Sequence, residues 1–187
     1  IHFHLADAKT GENLFLDHDD PRGLGLSTMA YHFIGGILAH AKALCAINSP
    51  TVNCYKRLQI GSGLLSTTSG LTWTPGFLSY GDNNRTQMIR TAGPGHLEDR
   101  TLSAACNPYL VFGVMLAAGL AGLENGYDLP SPVEENVFSL SEEERTRRGI
   151  ETLPASLWEA IQLAERSEFL REALGDHLFK SFSRPAC

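Results

Sequence analysis

The run from Tyr109 to Leu123 carries no charged side chain and ends at Glu124. A helix that is apolar all round has to be covered by other elements, so this run dictates a packed core. Asn107 before it is an N-cap residue and Pro108 suits the first helical turn. The run is too short for a membrane span and suits a buried helix. At 187 residues the chain is long enough for one domain with a real core.

Around that helix the pattern is mixed. Alternating runs predict strands at Ile1 to Asp7, Asn13 to Leu16, Thr51 to Leu58, Phe77 to Tyr80, Gln87 to Thr91 and His96 to Leu102. Ser27 is expected to cap a helix reaching about Ile47, which Asn48-Ser49-Pro50 stops. Ser141 with Glu144, and Ser156 with Glu159, are capping boxes. They open a short charged helix and an amphipathic one running from Leu157 to about Leu174. Gly61 to Gly76 reads as a loop without acid or base. The expected class is α+β: a mostly antiparallel sheet with packed helices.

Charge and cysteines narrow the partners. A formal net charge of -6 argues against nucleic acid. Cys45, Cys54, Cys106 and Cys187 form no CxxC pair, so no zinc or redox motif is suggested, and scattered cysteines fit a reducing cytoplasm. No signal peptide is visible and no membrane partner is expected. Ile1 starts inside a predicted strand and Ser183 to Cys187 trails a helix, so the chain is expected to be part of a longer protein.

Four polar groupings could carry chemistry. In extended backbone His2 and His4 share one face and can reach one metal or phosphate. Asn53, Tyr55 and Arg57 would line another strand face, with Lys56 opposite; the arginine is placed to grip a carboxylate or phosphate. Asn83-Asn84-Arg85, with Arg90 five residues later, resembles a phosphate clamp. His96, Glu98 and Arg100 place an acid between two bases, a pattern that also fits a structural ion pair. The others equally fit a solvated strand face or a surface loop.

The ordered set resembles the C-terminal catalytic part of the glutamine synthetase superfamily over roughly the whole chain. The matching residues are Ile1-His2-Phe3-His4, Glu12 to Phe15, Pro50 to Leu58, Asn84-Arg85-Thr86, Ile89-Arg90, Glu98-Asp99-Arg100, Asn107 to Leu110 and Ala117 to Leu123. The resemblance implies that an amine is joined to the γ-carboxylate of glutamate at the expense of ATP, through γ-glutamyl phosphate, with Mg²⁺ or Mn²⁺. By the same resemblance His2 and Glu98 are metal ligands, His4 and Arg90 contact ATP, Arg57 and Arg100 hold the glutamate carboxylates, and Arg85 serves the transferring phosphoryl group. It further implies homo-oligomeric rings, a dodecamer or similar. On this reading the chain is the C-terminal portion of the catalytic domain, lacking the N-terminal domain and the first catalytic strands, and is inactive alone.

Three departures bear on the amine. Ammonia-using members carry an acid shortly after the arginine matching Arg57; here Gln59 to Gly63 stands there, and no acid appears until Asp82. Gly93-Pro94-Gly95 replaces a basic residue, and Ala6 a hydroxyl residue. The segment Thr67 to Pro75, followed by Gly81 to Thr86, looks most like the branch making γ-glutamylmethylamide and other γ-glutamylamides, also described as type III glutamate–ammonia ligase-like. The alternatives are an ammonia-using glutamine synthetase and a synthetase-like binding or regulatory protein with reduced turnover.

Overall fold

The structure, a computed structural model, describes residues 1–58 and 74–182. Its spine is α1, Thr28–Asn48, capped as expected by Ser27, whose Oγ accepts the Ala30 N–H at 3.2 Å. Phe33, Ile34, Ile37 and Leu44 make α1 the core helix, packed chiefly on the helices Pro108–Asn125 and Leu157–Glu165. Helix α3, Pro108–Asn125, starts at Asn107, whose Oδ1 accepts the Tyr109 N–H at 3.0 Å.

Glycine sets the spacing between α1 and α3. A Cβ on Gly36 would lie 1.9 Å from the Ala118 carbonyl oxygen, and one on Gly122 would lie 2.0 Å from that of His32. The backbones therefore touch, and the surrounding side chains interdigitate. The expectation of full burial for α3 is corrected. Val111, Val114, Met115 and Ala118 are buried, whereas Tyr109, Phe112, Leu116 and Leu120 are exposed. By length and composition alone, both α1 and α3 are long and apolar enough to cross a membrane, so the length argument against a span does not hold. The burial of α1 is that of a core helix.

Four described strands form one sheet: β1 (His2–Phe3), β2 (Tyr80–Asp82), β3 (Ile89–Gly93) and β4 (His96–Asp99), in the order β1-β4-β3-β2. The β1–β4 and β3–β4 pairs are antiparallel and β2–β3 is parallel. The strand expected over Ile1 to Asp7 stops early because Asp7 turns the chain: its Oδ1 accepts the N–H groups of Lys9 and Thr10, both at 2.8 Å. Asn13 and Leu16 form only isolated bridges, to Ala6 and Leu26.

Two expected elements are corrected. Thr51 to Leu58 is not a strand; Val52–Leu58 is helix α2, because Cys54, Tyr55 and Leu58 meet the core at helical spacing. The helix expected from Leu157 to about Leu174 is two. Between α4 (Glu142–Arg147) and α6 (Glu168–Phe182), α5 covers Leu157–Glu165, and Ser167 Oγ accepts the Leu170 N–H at 3.1 Å to begin α6. Ser141 and Ser156 cap α4 and α5 as expected.

Candidate active site

Sheet register builds the first row of the site. His2 stands opposite Glu98 on one edge of β4, and Arg90 opposite Glu98 on the other. The period of two turns Phe3, Thr91 and Leu97 into the core and leaves His2, Arg90 and Glu98 on the other face. Opposed side chains on neighbouring strands start about 5 Å apart, so pairing alone aligns imidazole, carboxylate and guanidinium.

The contacts follow. Arg90 Nε donates to Glu98 Oε2 at 2.6 Å, Arg100 Nε lies 3.8 Å from the same oxygen, and His2 Nε2 lies 3.8 Å from Glu98 Oε1. Burial pushes the Glu98 carboxyl up, but the Arg90 hydrogen bond and the charges of Arg90 and Arg100 prevail and hold it below the usual carboxylate range. His96, two residues before Glu98 on the same face, places Nε2 3.0 Å from His2 Nδ1, with ring centroids 4.8 Å apart. Burial, reinforced by His2, His4 and Arg90, lowers the His96 pKa. His4 itself is exposed.

The remaining arginines arrive from other elements. Arg57, on α2, donates from Nη2 to the Thr101 carbonyl at 2.9 Å and the Leu102 carbonyl at 3.4 Å. Arg100 Nη1 donates to the Arg85 carbonyl. Burial lowers the Arg100 pKa; Glu98 opposes this while Arg90, Arg85 and Arg57 add to it, so all four guanidinium groups share one field. Arg85 is exposed on the loop joining β2 to β3. Asn84 braces that loop: its Nδ2 donates to the carbonyls of Glu134 at 3.1 Å and Glu135 at 2.9 Å, and its Oδ1 accepts from Thr86 N and Oγ1. Asn83, at φ 41°, accepts from Arg90 Nη1 at 2.6 Å. The two asparagines hold the loop and Arg90 in place.

Not every expected residue joins the site. The helical path of α2 buries Tyr55, whose hydroxyl donates to the Cys45 carbonyl at 3.2 Å, and leaves Asn53 and Lys56 exposed. The strand face expected for Asn53, Tyr55 and Arg57 does not form, and of the three only Arg57 reaches the segment that follows β4. The acid-free segment Gln59 to Gly63, and most of the Gly61 to Gly76 loop, lie outside the described residues. The site is an open sheet face; a cavity of about 340 Å³ lined by Leu78, Tyr80, Pro130, Val133 and Ile150 includes none of its residues.

Sequence reasoning missed what holds β4 against the helices. Asp99 is 1% exposed, and its Oδ1 accepts the Thr101 N–H at 2.7 Å and hydroxyl at 2.6 Å. The Thr101 hydroxyl also accepts from Asn48 Nδ2 at 3.3 Å, and Ser49 Oγ donates to the Thr101 carbonyl at 3.0 Å. This buried knot sits beneath Arg100 and ties it to the carbonyl that Arg57 grips. Asp-x-Thr at a strand end was the available signal.

The donor set can be tested against a divalent cation. Among the described residues no three His, Cys, Asp or Glu side chains converge to hold a metal. Two donors on one ion at roughly 2.1 Å each lie at most about 4.2 Å apart. His2 Nε2 and Glu98 Oε1, at 3.8 Å, meet that limit. An imidazole with an ionised carboxylate suits Mn²⁺ or Mg²⁺, with further ligands from water or other groups. Around this pair Arg57, Arg85, Arg90 and Arg100 outnumber the carboxylate, a surplus that favours a polyanion.

An α+β scaffold presenting a carboxylate–imidazole pair amid arginines has the parts that metal-assisted phosphoryl transfer uses. The glutamine synthetase catalytic domain family matches residues 1–185, and the chain belongs to that family. It is 43% identical over 175 residues to the glutamate–methylamine ligase of Methyloversatilis universalis, covering 94% of this chain and 38% of the relative. It is 44% identical over 186 residues to the glutamine synthetase of Pyrococcus woesei, covering 97% and 39%. A solved structure described as a GmaS/ADP complex superposes with a TM-score of 0.83 at 37% identity, covering 97% of this chain and 39% of that one. The chain thus spans about two fifths of the length of the relatives it matches.

Proposed function

We propose that this chain forms part of the active centre of an ATP-dependent carbon–nitrogen ligase that joins an amine to the γ-carboxylate of glutamate. The observation that carries this is the His2–Glu98–Arg90 row with Arg57, Arg85 and Arg100 gathered around it. In this reading Arg57 and Arg100 bind and orient the two carboxylates of glutamate. A glutamate γ-carboxylate oxygen attacks the γ-phosphorus of ATP and ADP leaves. Arg85 lies against the transferring phosphoryl group, whose spread charge needs fixed cationic donors. His4 and Arg90 bind the nucleotide. His2 and Glu98 would hold a divalent ion, which would supply neutralisation of the phosphate charge. The amine nitrogen then attacks the acyl carbon of γ-glutamyl phosphate, phosphate leaves and the nitrogen loses a proton.

The amine in this proposal is an alkylamine or another substituted amine. The acid-free sequence after Arg57 and the 43% identity to a glutamate–methylamine ligase support it. The 44% identity to a glutamine synthetase favours ammonia as the second reading. We place the full-length protein in the cytoplasm as a homo-oligomer. The test is ADP release by that protein with glutamate and a panel of methylamine, ethanolamine, polyamines, aniline and ammonia. Glutamate-dependent release with kcat/KM highest for methylamine is expected; highest for ammonia favours the second reading, and no release with any amine overturns the ligase.

A further inference from the structure

His96 is the one imidazole of the site face to which the ligase reading gives no task, and the geometry points to one. We propose that His96 is a positioning residue that accepts the Nδ1–H of His2 and so fixes the tautomer in which His2 Nε2 offers its lone pair to a divalent cation. The proposal rests on the reading of His2 as a metal ligand.

A neutral imidazole carries one N–H, and only its other nitrogen can bind a metal. His2 Nε2 faces Glu98 Oε1 at 3.8 Å, beyond hydrogen-bond range, so the carboxylate does not hold a proton on that nitrogen. His2 Nδ1 faces His96 Nε2 at 3.0 Å, well within range. With the proton on Nδ1, that contact is a donated hydrogen bond and Nε2 is free as a donor atom toward the gap it shares with Glu98. The partner must then carry its own proton on Nδ1, leaving its Nε2 as acceptor. Sheet pairing keeps the two rings together: His2 pairs with Glu98, and His96 lies two residues along the same strand face. Outer-sphere partners of this kind fix ring orientation and raise ligand basicity, and their loss typically weakens metal binding about 10–100-fold.

The test uses the full-length protein and two readouts. Long-range ¹H–¹⁵N correlation spectra of metal-free protein with ¹⁵N-labelled histidine report the His2 tautomer. Titration with Mn²⁺, followed by electron paramagnetic resonance, reports affinity at the site that His2→Ala removes. We expect His2 as the Nδ1–H form. His96→Phe loses that preference and binds Mn²⁺ about 10–100-fold more weakly. His96→Gln, whose amide oxygen can accept the same bond, stays within about threefold of the parent. A parent His2 carrying its proton on Nε2, or His96→Phe binding Mn²⁺ as the parent does, overturns the role of His96. No loss of any Mn²⁺ site in His2→Ala instead overturns the reading of His2 as a ligand, and the tautomer spectra separate the two failures.

Discussion

The α1–α3 crossing and the outer sheet face are built from opposite materials. At the crossing, Gly36 and Gly122 let two helix backbones touch, with Phe33, Ile34 and Met115 buried around them. On the sheet face, Arg90 and Arg100 hold one ionised carboxylate beside the His2–His96 pair, and Arg57 and Arg85 bring two further charges to bear on Arg100. The first region is satisfied by its own chain. The second carries like charges held close, an arrangement that a bound polyanion relieves. Core packing and the proposed chemistry therefore sit on separate elements, joined through the buried Asp99–Thr101 knot.

The sharpest way to break this division is Glu98→Ala in the full-length protein. ADP formation is expected to fall by at least about 10³-fold, roughly 4 kcal/mol of barrier. Folding is expected to lose only about 1 kcal/mol, because the ion pairs removed are partly solvated. Near-normal ADP release would remove the sheet face as the reactive centre. Gly36→Ala should show the reverse. Its new methyl meets the Ala118 carbonyl, so denaturant unfolding should register a loss of about 3 kcal/mol, with kcat per folded molecule unchanged.

Thr101→Val sits between the regions. It removes a hydroxyl that joins Asp99 to Asn48 and leaves a buried carboxylate oxygen short of a partner. A cost of about 1–3 kcal/mol is expected, together with a raised KM for glutamate, because Arg57 and Arg100 lose their common support. The smallest effect separates two carboxylates. Partly exposed Glu144 bonds Arg147 and Arg148, which pull its pKa down to about 2. Its folded value is depressed, so its contribution is present above the ordinary value of 4.5 and disappears as pH falls toward about 2. Glu144→Gln should flatten that acid-side slope slightly in unfolding curves; an unchanged slope would mean the pair contributes nothing in water.

Much of the architecture was legible because single residues announce it. Ser27, Asn107, Ser141 and Ser156 cap helices where their side chains indicate. The His96-x-Glu98 alternation survives as a strand. Helix α2 was hidden because Asn53, Tyr55 and Arg57 alternate convincingly, while Cys54, Tyr55 and Leu58 answer to the core at another period. The break between α5 and α6 carries no proline or glycine, only the Ser167 cap. Within the site, Glu98 and His2 could be paired by resemblance, but the His2–His96 contact depends on register between strands 94 residues apart. No local pattern encodes that distance.

The Asn84 brace has a consequence for motion. One amide ties the loop bearing Arg85 to the carbonyls of residues 134 and 135, and Thr86 Oγ1 accepts the Val137 N–H at 3.2 Å. Loop and strap share their bonds, so neither opens without the other. In amide hydrogen exchange, Thr86 and Val137 should report a common opening energy. The arginine at the tip is thus geared to a stretch some fifty positions away, and an insertion there would be felt as a change in how long Arg85 keeps its place over the sheet.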